Sequence, residues 1–263
     1  MDAATSEPVL LETREAGVLR LVLNRPSARN ALSVGLMDAL REALDRAARD
    51  PETRVVAIAG AGPAFCAGHD LRELRSDNSR AAYERVFAQC SALMLQIVHL
   101  PKPVIAEVHG IATAAGCQLV ATCDLAVAAE DARFATPGVN IGLFCSTPMV
   151  ALTRAVGRKA AMEMLLTGDF VDAATARALG LVNRVVKPAE LGAATLALAR
   201  QVAVKSALTV AIGKGAFYAQ AELGLSDAYR YAAEVMTRNM LARDAAEGID
   251  AFLAKRPPVW QDA

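Results

Sequence analysis

Residues 103–121 constrain the fold more than any other stretch. The run 103–108 has the length and apolar character of a buried strand, small residues follow His109-Gly110, and 115–121 can open a helix. A helix opening directly after a tight turn leaves its first N–H groups without intrahelical partners. They converge on one point, which suits negative charge developing on an oxygen.

The same strand-then-helix rhythm extends along the chain. Residues 9–13 and 18–23 alternate around Glu15-Ala16-Gly17 as a hairpin would, and Ser33 is placed to cap a helix carrying Met37, Leu40, Leu44 and Ala47 on one face. Residues 55–59 and 125–128 are further short apolar strands. The spacing of Val86, Leu93, Ile97 and Leu100 predicts a helix over 83–100, ended by Pro101 and Pro103. Near-continuous apolar strands alternating with helices predict an α/β fold with a largely parallel sheet. After about residue 147 the pattern becomes mainly helical, over 158–166, 173–178, 189–202, 208–220, 226–239 and 245–255, with one strand at 181–186. The division expected is an α/β core over 1–200 and a helical C-terminal region over 201–263. Apolar residues on more than one face of the last helices point to burial against other subunits.

Composition narrows the partners. Lysine plus arginine and aspartate plus glutamate both number 28 in 263 residues, which gives no global electrostatic case for nucleic acid or an anionic membrane. No stretch of twenty uninterrupted apolar residues is present, so no membrane partner is expected. The five cysteines show no paired CxxC spacing and are read as reduced thiols. Residues 1–8 lack the basic and apolar tandem of a secretory signal, and a cytoplasmic location is expected.

Two loops carry the chemistry. The first, Gly60-Ala61-Gly62-Pro63-Ala64-Phe65-Cys66-Ala67-Gly68-His69-Asp70-Leu71, follows the strand at 55–59, and α/β sheets place ligands at the carboxyl ends of their strands. Its Gly60-x-Gly62 opening is not a dinucleotide fingerprint: the third glycine is missing and no helix opens at the required place. The second loop is the turn at 113–116. Each loop can offer one backbone N–H to the same carbonyl oxygen, and one such donor is typically worth about 3 kcal/mol of barrier. Gly-x-Ser-x-Gly, His-Glu-x-x-His and Gly-Lys-Ser/Thr are absent from the sequence, so no triad, metal set or P-loop is expected.

The segments 65–71, 103–106, 115–119, 123–126, 134–137, 152–157, 179–182 and 251–256 together resemble the enoyl-CoA hydratase/isomerase (crotonase) superfamily. Residues 112–118 and 136–148 are most similar to one branch of it. The resemblance implies a repeated ββα spiral core, a helical C-terminal region that forms a homotrimer or homohexamer, and an acyl-CoA thioester as ligand. It implies no separate cofactor, since coenzyme A arrives as part of the substrate. By position, the two oxyanion-hole N–H groups would be those of Ala67 and Ala115. Ala67, Gly68, His69 and Asp70 would lie along the coenzyme, Arg72 near its phosphate, and Lys255 would reach the coenzyme of a neighbouring subunit.

The resemblance fails at the acid/base pair. Hydration of an enoyl thioester in this family uses two carboxylates to orient a water, take its proton and deliver a proton to the α-carbon, and the matching positions here are Gln118 and Gly138. Glutamine can hold a water but cannot accept its proton near neutral pH, and glycine supplies no side chain. Efficient hydration is not expected, and carboxylates restored at both positions are expected to recover part of it. Glu107, Asp70 and His69 are the other titratable groups near the loops, while Cys117 and Cys145 would be nucleophiles only beside a base. Two readings stay open: an enzyme that stabilises a thioester enolate with altered acid/base chemistry, as a weak hydratase, isomerase or thioesterase, and a non-catalytic acyl-CoA-binding protein.

Overall fold

A computed structural model describes residues 7–263. Strands β1 (Leu10–Glu15) and β2 (Val18–Leu23) form the expected antiparallel hairpin. From β2 onward the pairing is parallel, through β3 (Val55–Gly60), β4 (Val104–Val108), β6 (Leu125–Ala129) and β9 (Arg184–Val186), giving a six-stranded sheet in the order β1-β2-β3-β4-β6-β9. The intervening strand β5 (Ile111–Thr113) leaves this sheet to pair with β7 (Arg133–Ala135), and β8 (Val171–Asp172) closes a second, three-stranded sheet.

Alternation along the strands sorts the two faces of the large sheet. Leu19, Leu21, Val56, Ile58, Ala106 and Val108 pack against α1 (Val34–Arg49), α3 (Arg80–His99) and α4 (Ala115–Thr122). Val18, Val55, Ala57, Ile105 and Val127 pack on the other face against Leu191, Leu198 and Ala199 of α8 (Leu191–Ala203). Helix α1 forms where the spacing predicts, with the Ser33 hydroxyl accepting from the Leu36 N–H and Met37, Leu40, Leu44 and Ala47 fully buried. Such a cap is worth about 1 kcal/mol. Between β3 and α3 lies a short helix α2 (Leu71–Ser76), and between β7 and β8 lie α5 (Ser146–Ala155) and α6 (Arg158–Thr167), with α7 (Ala173–Leu179) leading to β9.

The predicted strand at 181–186 is shorter than expected. Gly180 ends α7 in the left-handed region, Leu181 returns an N–H to Ala176, and Asn183 turns its side chain to the Ala126 N–H before β9 begins.

Three further helices follow: α9 (Ala207–Ala221), α10 (Leu225–Met240) and α11 (Arg243–Leu253). Helix α9 is anchored to its own sheet. Lys214, only 7% exposed, donates to Asp124 at 2.7 Å and to the carbonyls of Ile97 and Lys102, while the Tyr218 hydroxyl reaches the other Asp124 oxygen at 2.9 Å. The chain end folds back: Asp244 accepts the N–H groups of Gln261 and Asp262, and Asp262 pairs with Arg54 and caps the Ala207 N–H. Among the described residues, no single helix is long and apolar enough to cross a membrane.

Candidate functional site

The first loop leaves β3 at Gly60 and is clamped from below by Asn30. That side chain is fully buried, donates to the carbonyls of Ala61 and Ala64 at 2.8 and 2.7 Å, and accepts the Arg25 N–H at 2.9 Å. Arg29 and Asn30 both adopt positive φ, a conformation that asparagine tolerates better than most residues. Sequence reasoning passed over Asn30; a lone amide just before an apolar pair was its one visible signal.

The loop then docks on the second one. Cys66 bridges Ala112 in parallel, donating its N–H to Ile111 and accepting from Thr113. Gly116, in the first turn of α4, lies so close to the Cys66 carbonyl that no Cβ fits between them. Gly68 has φ +95°, and a Cβ there would stand 2.9 Å from the Ala114 Cβ and 3.4 Å from the Ala115 nitrogen. Ala114 itself sits at φ 50°, ψ −117°, a strained conformation of the kind concentrated at functional sites. The two loops are therefore one surface.

The direction of each peptide decides which N–H groups face that surface. Ala67 donates its N–H to the Arg29 carbonyl at 3.0 Å, so the Ala67 donor expected from the sequence is already used. The Gly68 carbonyl accepts from Leu32 at 2.7 Å, and Asp70 donates to Leu32 at 3.1 Å. Because the peptide is planar and trans, the His69 N–H points opposite to the Gly68 carbonyl, away from Leu32. Neither the His69 nor the Ala115 N–H has a hydrogen-bond partner among the described residues.

The neighbouring side chains divide by face. Gln118, one turn into α4, is 4% exposed, and its carbonyl oxygen lies 4.0 Å from the Cys90 sulfur of α3. Gly138, second in the short 3-10 turn over Pro137–Ile141, has no room for a side chain, since a Cβ would meet the Leu143 carbonyl at 2.5 Å and the Cys145 sulfur at 2.9 Å. The His69 ring stands edge-on to Phe87 of α3, with centroids 5.7 Å apart, and its two buried nitrogens make no well-formed hydrogen bond among the described residues, the Leu32 backbone being the group beside them. Burial lowers its pKa from 6.5, which favours the neutral ring near pH 7.

The remaining candidates are committed elsewhere. Asp70 caps α2 through the N–H groups of Arg72 and Glu73 and accepts Arg25 at 2.8 Å; chiefly that guanidinium holds its carboxyl below the ordinary value. Glu107 lies on the α8 face of the sheet, paired with Arg20 of β2 at 2.6 Å and turned away from α4. It cannot stand in for a carboxylate at Gln118. Burial pushes the Cys117 thiol up to about 12 and also raises that of Cys145, so neither is an ionised nucleophile at neutral pH. Arg72 is exposed on α2, and Lys255 is exposed just past α11 with φ 53°.

The family model for enoyl-CoA hydratase/isomerase matches residues 13–263. The chain belongs to the enoyl-CoA hydratase/isomerase family. Among its family relatives, enoyl-CoA hydratase domain-containing protein 3, mitochondrial, of Xenopus laevis is 47% identical over 253 residues, covering 96% of this chain and 86% of the relative. The crystal structure of human enoyl coenzyme A hydratase domain-containing protein 3 superposes with TM-score 0.93 at 46% identity, covering 96% of this chain and 100% of that one. An enoyl-CoA hydratase structure from Mycobacterium smegmatis gives TM-score 0.94 at 56% identity, covering 97% and 99%. The branch suggested by residues 112–118 and 136–148 is the one these vertebrate relatives represent.

One expectation about this family member is overturned by the same relatives. The frog, mouse and human proteins are all named mitochondrial, against the cytoplasmic location read from residues 1–8. That reading rested on the lack of a secretory signal and on reduced thiols, and a reducing organelle interior meets both conditions. Residues 1–6 lie outside the described residues.

Proposed function

We propose that this family member binds acyl-CoA thioesters and polarises the thioester carbonyl with two main-chain donors, the N–H groups of His69 and Ala115. The observation that carries the reading is that these two N–H groups are unspent on loops held together at Gly68 and Gly116. Ala67 drops out of the donor pair and keeps only a place along the coenzyme with Gly68, His69, Asp70 and Arg72.

The acid/base positions set the activity. Gln118 can orient a water or an acyl group beside Cys90, and Gly138 contributes only backbone, so hydration by paired carboxylates is not available. The chain is a weak or altered enoyl-CoA enzyme, or a binder of acyl-CoA, and not an efficient hydratase.

Assembly belongs to the same reading. Leu225, Met236, Leu241, Phe252 and Leu253 are between 61% and 84% exposed on or beside α10 and α11, more apolar surface than a soluble monomer ordinarily leaves open. A homotrimer or homohexamer covering these helices, with Lys255 reaching a neighbour's coenzyme, completes the proposal. For the division between core and helical region, expected at 200/201, the packing of α8 on the sheet supports a place just after that helix, at 204–206.

Calorimetric titration with crotonyl-CoA and butyryl-CoA tests binding, and the absorbance of a bound aryl-acrylyl-CoA tests the donors. A red shift of the conjugated thioester on binding is expected. Binding without a shift would refute the donor pair, and no binding at millimolar ligand would refute the whole reading.

A further inference from the structure

We infer that the His69 imidazole is the group that moves the proton at the α-carbon of the bound thioester, in the role left open by Gln118 and Gly138. The inference rests on the acyl-CoA reading above and adds a catalytic residue to it.

Three observations converge on this ring. Both of its nitrogens are buried, and apart from the Leu32 backbone beside the ring neither has a partner among the described residues, so hydrogen-bonding capacity is left over for a ligand. An unmet buried polar atom forfeits the hydrogen bonds it had in water, so two on one side chain call for an explanation. The ring also belongs to the residue whose unspent N–H is the proposed donor, so its side chain departs one bond from that nitrogen. Its packing fixes the orientation, since Phe87 holds it edge-on at 5.7 Å.

The same helix ties His69 to the acid/base position. Phe87 and Cys90 are three residues apart on α3, hence neighbours on one face. Phe87 touches the His69 ring and Cys90 approaches the Gln118 amide. His69, from the first loop, and Gln118, from α4, thus meet the same face of α3. Among the described residues the other titratable groups near the two loops are committed elsewhere: Asp70 is bound to Arg25, Glu107 lies across the sheet, and the thiols of Cys66, Cys90 and Cys117 are pushed up to about 12 by burial.

The step is balanced within the complex. A ring nitrogen takes a proton from the thioester α-carbon, the C–H electron pair becomes the enolate double bond, and the carbonyl π pair moves to the oxygen held by the two N–H groups. Return of the proton from the imidazolium restores the C–H bond. In addition of water across an enoyl thioester, the proton taken from water as its oxygen bonds to the β-carbon returns in the same way to the α-carbon.

The test is exchange of the α-protons of butyryl-CoA in D2O, followed by mass spectrometry at saturating ligand, with binding measured separately by calorimetry. The wild-type protein is expected to exchange them, and His69→Gln to lose about 10²-fold or more, the usual contribution of a general base. His69→Ala with added imidazole is expected to regain exchange, which a merely positioning role would not give. Exchange at the wild-type rate in His69→Gln overturns the inference, as does failure of imidazole to restore any. Wild-type protein that binds butyryl-CoA without exchanging it overturns the inference and leaves the binding reading standing. No binding at all removes that reading first.

Discussion

Gly138 faces the Leu143 carbonyl so closely that a Cβ would stand 2.5 Å from it. A side chain at this position is therefore excluded by the backbone around it, because the turn over Pro137–Ile141 and the segment leading to Cys145 close over the space it would need. Restoring both carboxylates, as the sequence alone suggests, sets a folding defect against a chemical gain.

The two positions are expected to separate by mutation. Gly138→Glu should cost about 1–3 kcal/mol through overpacking, read as a lower melting temperature, whatever it does to turnover. Gln118→Glu changes few atoms and should fold normally. It should raise crotonyl-CoA hydration above the parent, with a rate that climbs with pH, since burial raises a carboxyl pKa and the base form is needed. A Gln118→Glu protein that folds and binds crotonyl-CoA but hydrates no faster would mean that the water position is lost as well.

Glu107→Gln distinguishes the two faces of the sheet. Arg20 can still donate to the glutamine oxygen, so the loss is that of a charge-assisted hydrogen bond, about 1–2 kcal/mol on denaturant melting. Acyl-CoA binding and turnover should be unchanged. A large fall in turnover with intact stability would place Glu107 in the chemistry after all.

Much of this was legible in the sequence, and the misses have physical causes. Helix α1 carried a cap and a full apolar face over 16 residues, and β2, β3, β4 and β6 were long enough to show their apolar character. Helix α2 has six residues and none of them buried, while β5, β7 and β8 have two or three, too short for a period to register. The second sheet was invisible for that reason. At the site, the two loops and the presence of Gln118 and Gly138 rather than carboxylates could be read from residue types. The donor could not: whether Ala67 or His69 turns its N–H to the site depends on the Arg29 and Leu32 carbonyl and amide partners, which no side-chain pattern reports. Glu107 could be weighed from the sequence either as a substitute base or as a paired strand residue, because strand alternation is hard to orient when both faces are buried; its pairing with Arg20 fits the second.

Acid should loosen the first loop. Asp70 has a folded pKa below its ordinary 3.8, held there first by Arg25. A depressed carboxyl contributes stability above its unfolded pKa and loses it as pH falls through the folded value. Denaturant midpoints measured from pH 7 down to pH 3 should therefore fall more steeply below about pH 4 in the parent than in Asp70→Asn. Equal slopes would show that the Arg25 pair contributes nothing in solution.

The exposed apolar residues of the C-terminal helices are expected to be covered by further copies of the chain. Removing 243–263 would be a poor test, because Asp262 caps α9 at Ala207 and Trp260 donates to the Val204 carbonyl at 2.8 Å, so truncation would strip α9 as well as α11. Phe252 and Leu253, 82% and 72% exposed, make few demands on the monomer and can be changed alone. Phe252→Asp with Leu253→Asp should leave the melting of the isolated subunit nearly unaltered, since surface changes of this kind stay within about 0.5 kcal/mol, while shifting light scattering from trimer or hexamer to monomer. If Lys255 reaches the coenzyme of a neighbour, acyl-CoA affinity should fall together with the oligomer. An oligomer that survives both aspartates would mean that these residues lie outside the contact. A parent protein that is already a monomer at micromolar concentration would refute the assembly itself.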